Sequence, residues 1–270
     1  MKTLLFLSSA IALALAFGPP LDLKIAKDEK AAVSFKYAVD LSGPTSPGIM
    51  DCLYKNAYHT AFVRIYKPDG NGQVDQEAIK SIRNANSVRM GVEIYHTPAI
   101  QSNKPGAEQF TDVYNVLKNA GIFMRSIWLQ VTSPNTWGSN QAYNIHFVSS
   151  FISEAHKHNV TVGIYTNWYD WSQITGSWSG WTAAQQIQLW YWNTNGLGPQ
   201  AESSADFGDF RPFGGWNQAT IKQFGLQSTS CGVNFNRNTY TSATPTVRYP
   251  LQRKRKEIAV GTTFLKNYYL

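Results

Sequence analysis

Ser126-Ile127-Trp128-Leu129-Gln130-Val131-Thr132-Ser133 is the stretch from which the fold is read. It lies between Gly121 and Pro134, is rich in β-branched and aromatic residues, and has the length of a buried strand. Successive strand side chains point to opposite faces, so Trp128, Gln130 and Thr132 share one face and Ile127, Leu129 and Val131 the other.

Outward from this strand, short apolar runs recur at Lys36–Leu41, Ala61–Tyr66, Gly91–Tyr95, Thr161–Tyr165, Leu189–Trp192, Thr220–Phe224 and Gly232–Phe235. Helix-like patterns separate the earlier ones, over Asp75–Ala85, Ala107–Asn119 and Tyr143–His158. A βαβα rhythm predicts parallel strands, and eight of them fit a single α/β barrel of modified TIM type, with functional groups at the strands' C-terminal ends. From Leu189 to Phe235 the connections are rich in Gly, Pro, Asn and Ser, so regular helices are expected only between the earlier strands. No internal repeat and no second domain is visible.

The two ends of the chain read differently from the body. Lys2 followed by the apolar run Leu4–Phe17, with Ala14-Leu15-Ala16 as a small-residue cleavage site, predicts a secretory signal peptide over 1–16. No later segment is long and apolar enough to be an integral membrane span. Residues 17–35 read as an extended lead-in, 36–240 as the barrel, and 241–270 as a basic, disordered extension. The net charge of +7 is concentrated at Lys2 and in the tail, at Arg248, Arg253, Lys254, Arg255, Lys256 and Lys266. The near-neutral body has no general attraction for nucleic acid. The run Gln252–Lys256 is either a solvated tail or a contact element for anionic walls. Two cysteines in a secreted chain suggest one disulfide, Cys52 to Cys231, with two free thiols as the alternative. Asn159-Val160-Thr161 is a short glycosylation signal.

The motifs Tyr37-Ala38-Val39-Asp40-Leu41-Ser42, Ile164-Tyr165-Thr166-Asn167-Trp168-Tyr169-Asp170-Trp171, Leu189-Trp190-Tyr191-Trp192-Asn193 and Phe207-Gly208-Asp209-Phe210-Arg211-Pro212-Phe213-Gly214 together resemble the glycoside hydrolase family 25 lysozymes. The likeness is greatest to their nematode and amoebal branch and runs from about Tyr37 to Tyr240. The resemblance implies a secreted protein of innate antibacterial defence that recognises, and in active members hydrolyses, peptidoglycan. Its partner would be bacterial cell-wall glycan, and it would act as a monomer. It also implies four acidic positions. The first is retained as Asp40. The Asp-x-Glu pair of the fourth strand is Gln130 and Thr132 here, and the last-strand Asp is Asn234. Neither a hydroxyl nor an amide delivers a proton near neutral pH, whereas both still hydrogen-bond to sugars. Catalytic competence is therefore open, and a degenerate glycan-binding protein is the alternative to an enzyme.

One further carboxylate qualifies as a substitute. Glu93 shares a strand face with Tyr95, and the first and third strands of a barrel can bring Asp40 and Glu93 together. The competing reading makes Glu93 a buried partner of Arg64. Flat aromatic faces and polar groups at strand ends suit pyranose rings. The candidate sugar contacts are thus Tyr66, Tyr95, Gln130, Thr132, Tyr165, Trp190, Trp192, Gln223 and Asn234. The five histidines form no metal constellation, Gly176-Ser177-Trp178-Ser179-Gly180 is no nucleophile elbow, and no Gly-rich phosphate loop opens a helix. Neither a metal nor a cofactor is expected.

Overall fold

In the computed structural model, which describes residues 34–180, 187–241 and 258–261, alternating strands and helices close on themselves. The chain runs β1 (Phe35–Leu41), α1 (Pro47–Lys55), β2 (Tyr58–Lys67), β3 (Gln73–Val74), α2 (Gln76–Ser87), β4 (Gly91–His96), α3 (Gly106–Asn119), β5 (Ile122–Met124), β6 (Ser126–Gln130), α4 (Gln141–Lys157), β7 (Thr161–Thr166), α5 (Trp168–Thr175), β8 (Gln188–Trp192), β9 (Ile221–Ser230), β10 (Val233–Thr241) and β11 (Ile258–Val260). Hydrogen bonding orders the barrel β1-β10-β9-β8-β7-β6-β4-β2, and β2 pairs back onto β1. The predicted signal peptide, most of the lead-in and the Gln252–Lys256 run lie outside the described residues.

The eight-stranded barrel is present as expected, with one correction. Seven strands are parallel, but β10 runs antiparallel to both β9 and β1. The reason is local: Cys231 and Gly232, with φ of +55° and +74°, form a two-residue turn between Ser230 and Val233. So short a connection can only reverse the chain, since a parallel return needs a crossover of a dozen residues or more.

Two shorter helices escape the sequence patterns. In α1 the Ser46 hydroxyl accepts from the Ile49 N–H and Pro47 occupies the first turn. In α5 the Asn167 side chain accepts from the Asp170 N–H, and Gly176 ends the helix at φ +66°. The tail also departs from expectation. Ile258–Val260 pairs in parallel with β5, Val260 is fully buried, and the Gly261 N–H reaches the Val92 carbonyl at 2.9 Å. This segment lies against the starts of β4 and β6, at the barrel end opposite the strands' C-termini. Three apolar residues in a polar tail are too few to show a period.

The strand alternation sorts the apolar residues into two layers. Ile127, Leu129 and Val131 join the layer between strands and helices, with Phe110, Phe147 and Phe151. Trp128 turns into the barrel with Phe62, Tyr95, Tyr165, Trp190 and Tyr240. There Trp190 stacks on Tyr165 at 4.1 Å and meets Phe62 at 4.4 Å. The Trp128 ring lies so close to β7 that a Cβ on Gly163 would stand 2.4 Å from it, which explains a glycine inside that strand.

The helix-side layer also holds an uncharged histidine. His96 has no exposed surface, stacks on Tyr66 at 4.1 Å, and lies 3.1 Å from Gln109 Oε1 through Nε2. Gln109 is oriented by its backbone partners, accepting from the Ala99 N–H and donating to the Ala99 and Lys104 carbonyls. His96 Nε2 therefore carries the proton. Burial lowers its pKa from 6.5 to about 3. The unfolded chain binds a proton that the folded chain refuses, so stability falls as pH drops from 6.5 towards 3. At pH 5 this amounts to about 2 kcal/mol. Unfolding free energies from urea titrations at pH 7 and pH 5 are expected to differ by that much more in the wild type than in His96→Phe; equal differences would assign the acid sensitivity elsewhere.

Candidate functional site

The barrel mouth, formed by the C-terminal ends of the parallel strands, is where the predicted site residues mostly gather. Asp40, near the end of β1, is 5% exposed and lines a cavity of about 590 Å³ with Ser42, Gln227, Asn234 and Asn236. Three amides converge on its carboxylate. Gln223 Nε2 and Asn238 Nδ2 donate to Oδ2 at 2.7 and 2.9 Å, and Asn236 Nδ2 donates to Oδ1 at 2.8 Å. Two of these amides are held from behind: the Trp190 indole donates to Asn238 Oδ1 at 2.8 Å, and the Tyr165 hydroxyl to Gln223 Oε1 at 2.7 Å. An indole can only donate, so the Asn238 amide must turn its NH₂ to Asp40. Burial pushes the Asp40 pKa above the usual carboxylate value, against the opposing pull of the three amides. The network thus fixes the carboxyl in place and favours its charged form, while burial outweighs it and leaves the carboxyl easier to protonate than an exposed aspartate.

Gln130 and Thr132 face the mouth on the opposite side of the ring of strands. Gln130 Oε1 accepts from the Thr97 hydroxyl at 2.7 Å, and Gln130 Nε2 donates to Thr132 Oγ1 at 2.9 Å. Both line a cavity of about 220 Å³ with Thr97, Gln101 and Trp137. The Trp137 indole donates to the Thr132 carbonyl at 3.1 Å, which fixes the turn after β6. No charge enters this hydrogen-bonded set, and the Thr132 hydroxyl keeps its proton for an outside acceptor.

Glu93 lies elsewhere. It is aligned with Phe62, which is in turn aligned with Asp40 across β1, β2 and β4. Glu93 has no exposed surface and accepts from the Trp128 indole at 3.1 Å. The Arg64 guanidinium donates to the Ser42 carbonyl at 3.0 Å. Asp40 is therefore the carboxylate at the open cavity, whereas Glu93 belongs to the packed interior.

Several predicted sugar contacts are placed apart from the mouth cavities. Tyr66 is fully buried on the helix side, stacked on His96. Trp190 is likewise fully buried and acts through Asn238. Tyr95 and Tyr165 are 5% and 7% exposed. Trp192, half-buried, reaches a separate concavity, and its indole donates to Asp170 Oδ2 at 3.0 Å. Asn234, by contrast, lines the Asp40 cavity from the β9–β10 hairpin, where it is exposed and accepts from the Thr229 hydroxyl at 2.7 Å. Asn159 is exposed with φ +56° in the turn after α4.

Asn236, Asn238 and Asp170 are site residues that the sequence reading misses. The first two carry a readable signal, since Asn234-Phe235-Asn236-Arg237-Asn238 alternates asparagines along one strand face. Asp170 is hidden inside an aromatic run; burial raises its pKa, while the Trp192 indole opposes the rise. Among the described residues, no group of three His, Cys, Asp or Glu side chains could hold a metal ion, and no helix is long and apolar enough to cross a membrane.

Known proteins share both the sequence pattern and the barrel. A family profile described as Lysozyme-like protein 1 matches residues 31–224. Lysozyme-like protein 1 of Caenorhabditis elegans is 43% identical over 212 residues, covering 78% of this chain and 70% of that protein. Probable GH family 25 lysozyme 2 of Dictyostelium discoideum is 30% identical over 203 residues, covering 75% and 89%. Among solved structures, a bacterial lysozyme from Streptomyces coelicolor matches with a TM-score of 0.60 at 20% identity, covering 77% of this chain and 92% of that one. A family GH25 lysozyme from Aspergillus fumigatus matches with 0.59 at 15% identity, covering 84% and 100%. These two likenesses concern the barrel alone.

Proposed function

The chain belongs to the lysozyme-like protein family within the glycoside hydrolase family 25 lysozymes, and on that footing we propose that it is a secreted protein of antibacterial defence that holds peptidoglycan glycan at its barrel mouth. The observation that carries this reading is the hydrogen-bonded pair of Gln130 and Thr132. It occupies the two positions to which the family resemblance assigns the acid pair. Hydrolysis of a glycosidic bond needs one carboxylic acid for the leaving oxygen and a second carboxylate for the sugar centre or the attacking water. The mouth supplies Asp40 ringed by neutral amides, and amides with hydroxyls opposite. These groups satisfy sugar hydroxyls and acetamido groups without breaking the bond between sugars. The disulfide between Cys52 and Cys231 supports passage through an oxidising compartment.

Purified protein incubated with insoluble peptidoglycan is expected to pellet with it and to release no reducing ends above background. Failure to pellet would remove the reading. Release of reducing ends would favour a second one, for which the raised pKa of Asp40 is the supporting observation. Asp40 would then act as the proton donor, the rate would fall as pH rises through its raised pKa, and Asp40→Asn would abolish release. Continued release by Asp40→Asn would dismiss that second reading.

A further inference from the structure

Asn159-Val160-Thr161 is the only Asn-x-Ser/Thr triplet in the chain, and its middle residue is not proline. It stands where α4 gives way to β7. His158 caps the helix, and Asn159 follows at φ +56°. The Asn159 N–H returns to the His156 carbonyl at 3.0 Å, and the Val160 N–H to the Ala155 carbonyl at 2.9 Å. These two bonds close the helix end around a single left-handed residue. Asn159 is exposed, and among the described residues its side-chain amide meets no partner.

A left-handed position does not by itself call for asparagine. The corresponding residue is Ala57 after α1, Arg89 after α2 and Gly121 after α3, with φ of +67°, +64° and +69°. Of these four turns, only the one after α4 has a hydroxyl residue two positions on. The other two residues of the triplet are hidden. Val160 is fully buried, and Thr161 opens β7 at 7% exposure, its N–H on the Arg125 carbonyl at 3.0 Å. An enzyme that must read the threonine hydroxyl reaches it only before β7 joins the barrel, whereas the asparagine stays in solvent afterwards.

Resting on the secreted reading above, we propose that Asn159 is an N-glycosylation site, occupied before the barrel closes. The donor is a lipid-pyrophosphate-linked oligosaccharide. Asn159 Nδ2 forms a bond to the anomeric carbon of the first sugar, and the bond from that carbon to the pyrophosphate oxygen breaks. The oxygen keeps the electron pair, and the released lipid pyrophosphate takes up the proton that the amide loses. The six residues of β7 set the site roughly 20 Å from the mouth, so the bulky glycan leaves the Asp40 and Gln130 cavities open.

The test expresses the full chain in a secreting eukaryotic cell and compares protein from medium and cells before and after peptide N-glycosidase digestion. The wild type is expected to lose the mass of one glycan, with Asn159 converted to aspartate in its peptide. Asn159→Gly suits the left-handed turn, and Thr161→Val keeps the asparagine while removing the hydroxyl; neither variant should show the loss. Wild type secreted without a glycan, or a glycan that persists in either variant, would overturn the site. A glycosylated chain retained in the cell would overturn the secreted reading and leave the site standing. Disulfide-bonded protein folded without the transferase should stay unmodified when opened microsomes supply the enzyme and donor, and should accept the glycan once reduced and unfolded. Modification of the folded form would overturn the stated order of events.

Discussion

Replacing Cys52 and Cys231 together by serine is expected to lower the unfolding free energy by about 5 kcal/mol, the loop-closure value for so long a covalent loop. The bridge joins residues 179 apart and ties α1 to the turn of the β9–β10 hairpin. In the unfolded chain it forbids most of the conformations that two distant segments would otherwise explore. In the folded chain the same two segments are already neighbours, because β1 pairs with both β2 and β10. The Asn56 amide adds local order, donating to the Cys52 carbonyl at 2.8 Å and lying 3.5 Å from Cys231 Sγ. Natural domains have only about 5–15 kcal/mol to lose, so the serine variant stands near the edge of folding at 37 °C. Urea unfolding of the oxidised protein, the reduced protein and the double serine variant checks this. The last two should agree and fall well below the first. A loss under about 1 kcal/mol would mean that the two segments stay together in the unfolded state without the bond.

Side-chain alternation is the part of the fold most legible in the sequence. A period of two sets Trp128 inside and Ile127 and Leu129 outside, and the structure keeps that division. The helices over Gln76–Ser87, Gly106–Asn119 and Gln141–Lys157 are long enough for a 3.6-residue period to stand out, so the pattern places each within two residues at either end. The eight-residue α5 is not legible in this way, because its Trp-Tyr-Asp-Trp start is equally compatible with a strand. The direction of β10 depends on a two-residue turn whose Cys-Gly pair speaks first through its cysteine. At the site, alternation brings Asp40, Gln130, Thr132 and Gln223 to the mouth but says nothing of depth. Tyr66 and Trp190 share strand ends with exposed groups yet are sealed by His96 and by Phe62. Which amide meets which carboxylate is a tertiary fact. The pairing of Asn236 and Asn238 with Asp40 spans nearly 200 residues of chain, and no local pattern encodes it.

Gln130→Asp combined with Thr132→Glu is expected to raise the release of reducing ends from insoluble peptidoglycan at least about 100-fold over the wild type, the lower bound of what a positioned general acid supplies. The local structure is prepared for both changes. An aspartate at 130 can accept the Thr97 hydroxyl that Gln130 Oε1 now takes, and so remain oriented. A glutamate at 132 enters a position only 8% exposed, beside Trp137. Partial desolvation and the neighbouring aspartate both disfavour its charge, so it would hold a proton at pH values where an exposed glutamate has lost it. That is the protonation state a leaving-group acid requires. The opposite carboxylate, Asp40, is already fixed by its three amides. Thr132→Glu alone should give part of the gain, since the acid would lack its charged neighbour, and Gln130→Asp alone should give none. Pelleting of every variant on peptidoglycan controls for loss of the glycan. A double variant that folds and pellets but releases no more than the wild type would show that these two positions do not decide whether the barrel cuts. Gln130 and Thr132 would then act through the hydrogen bonds they make to Thr97 and to each other, holding the rim of the mouth in shape.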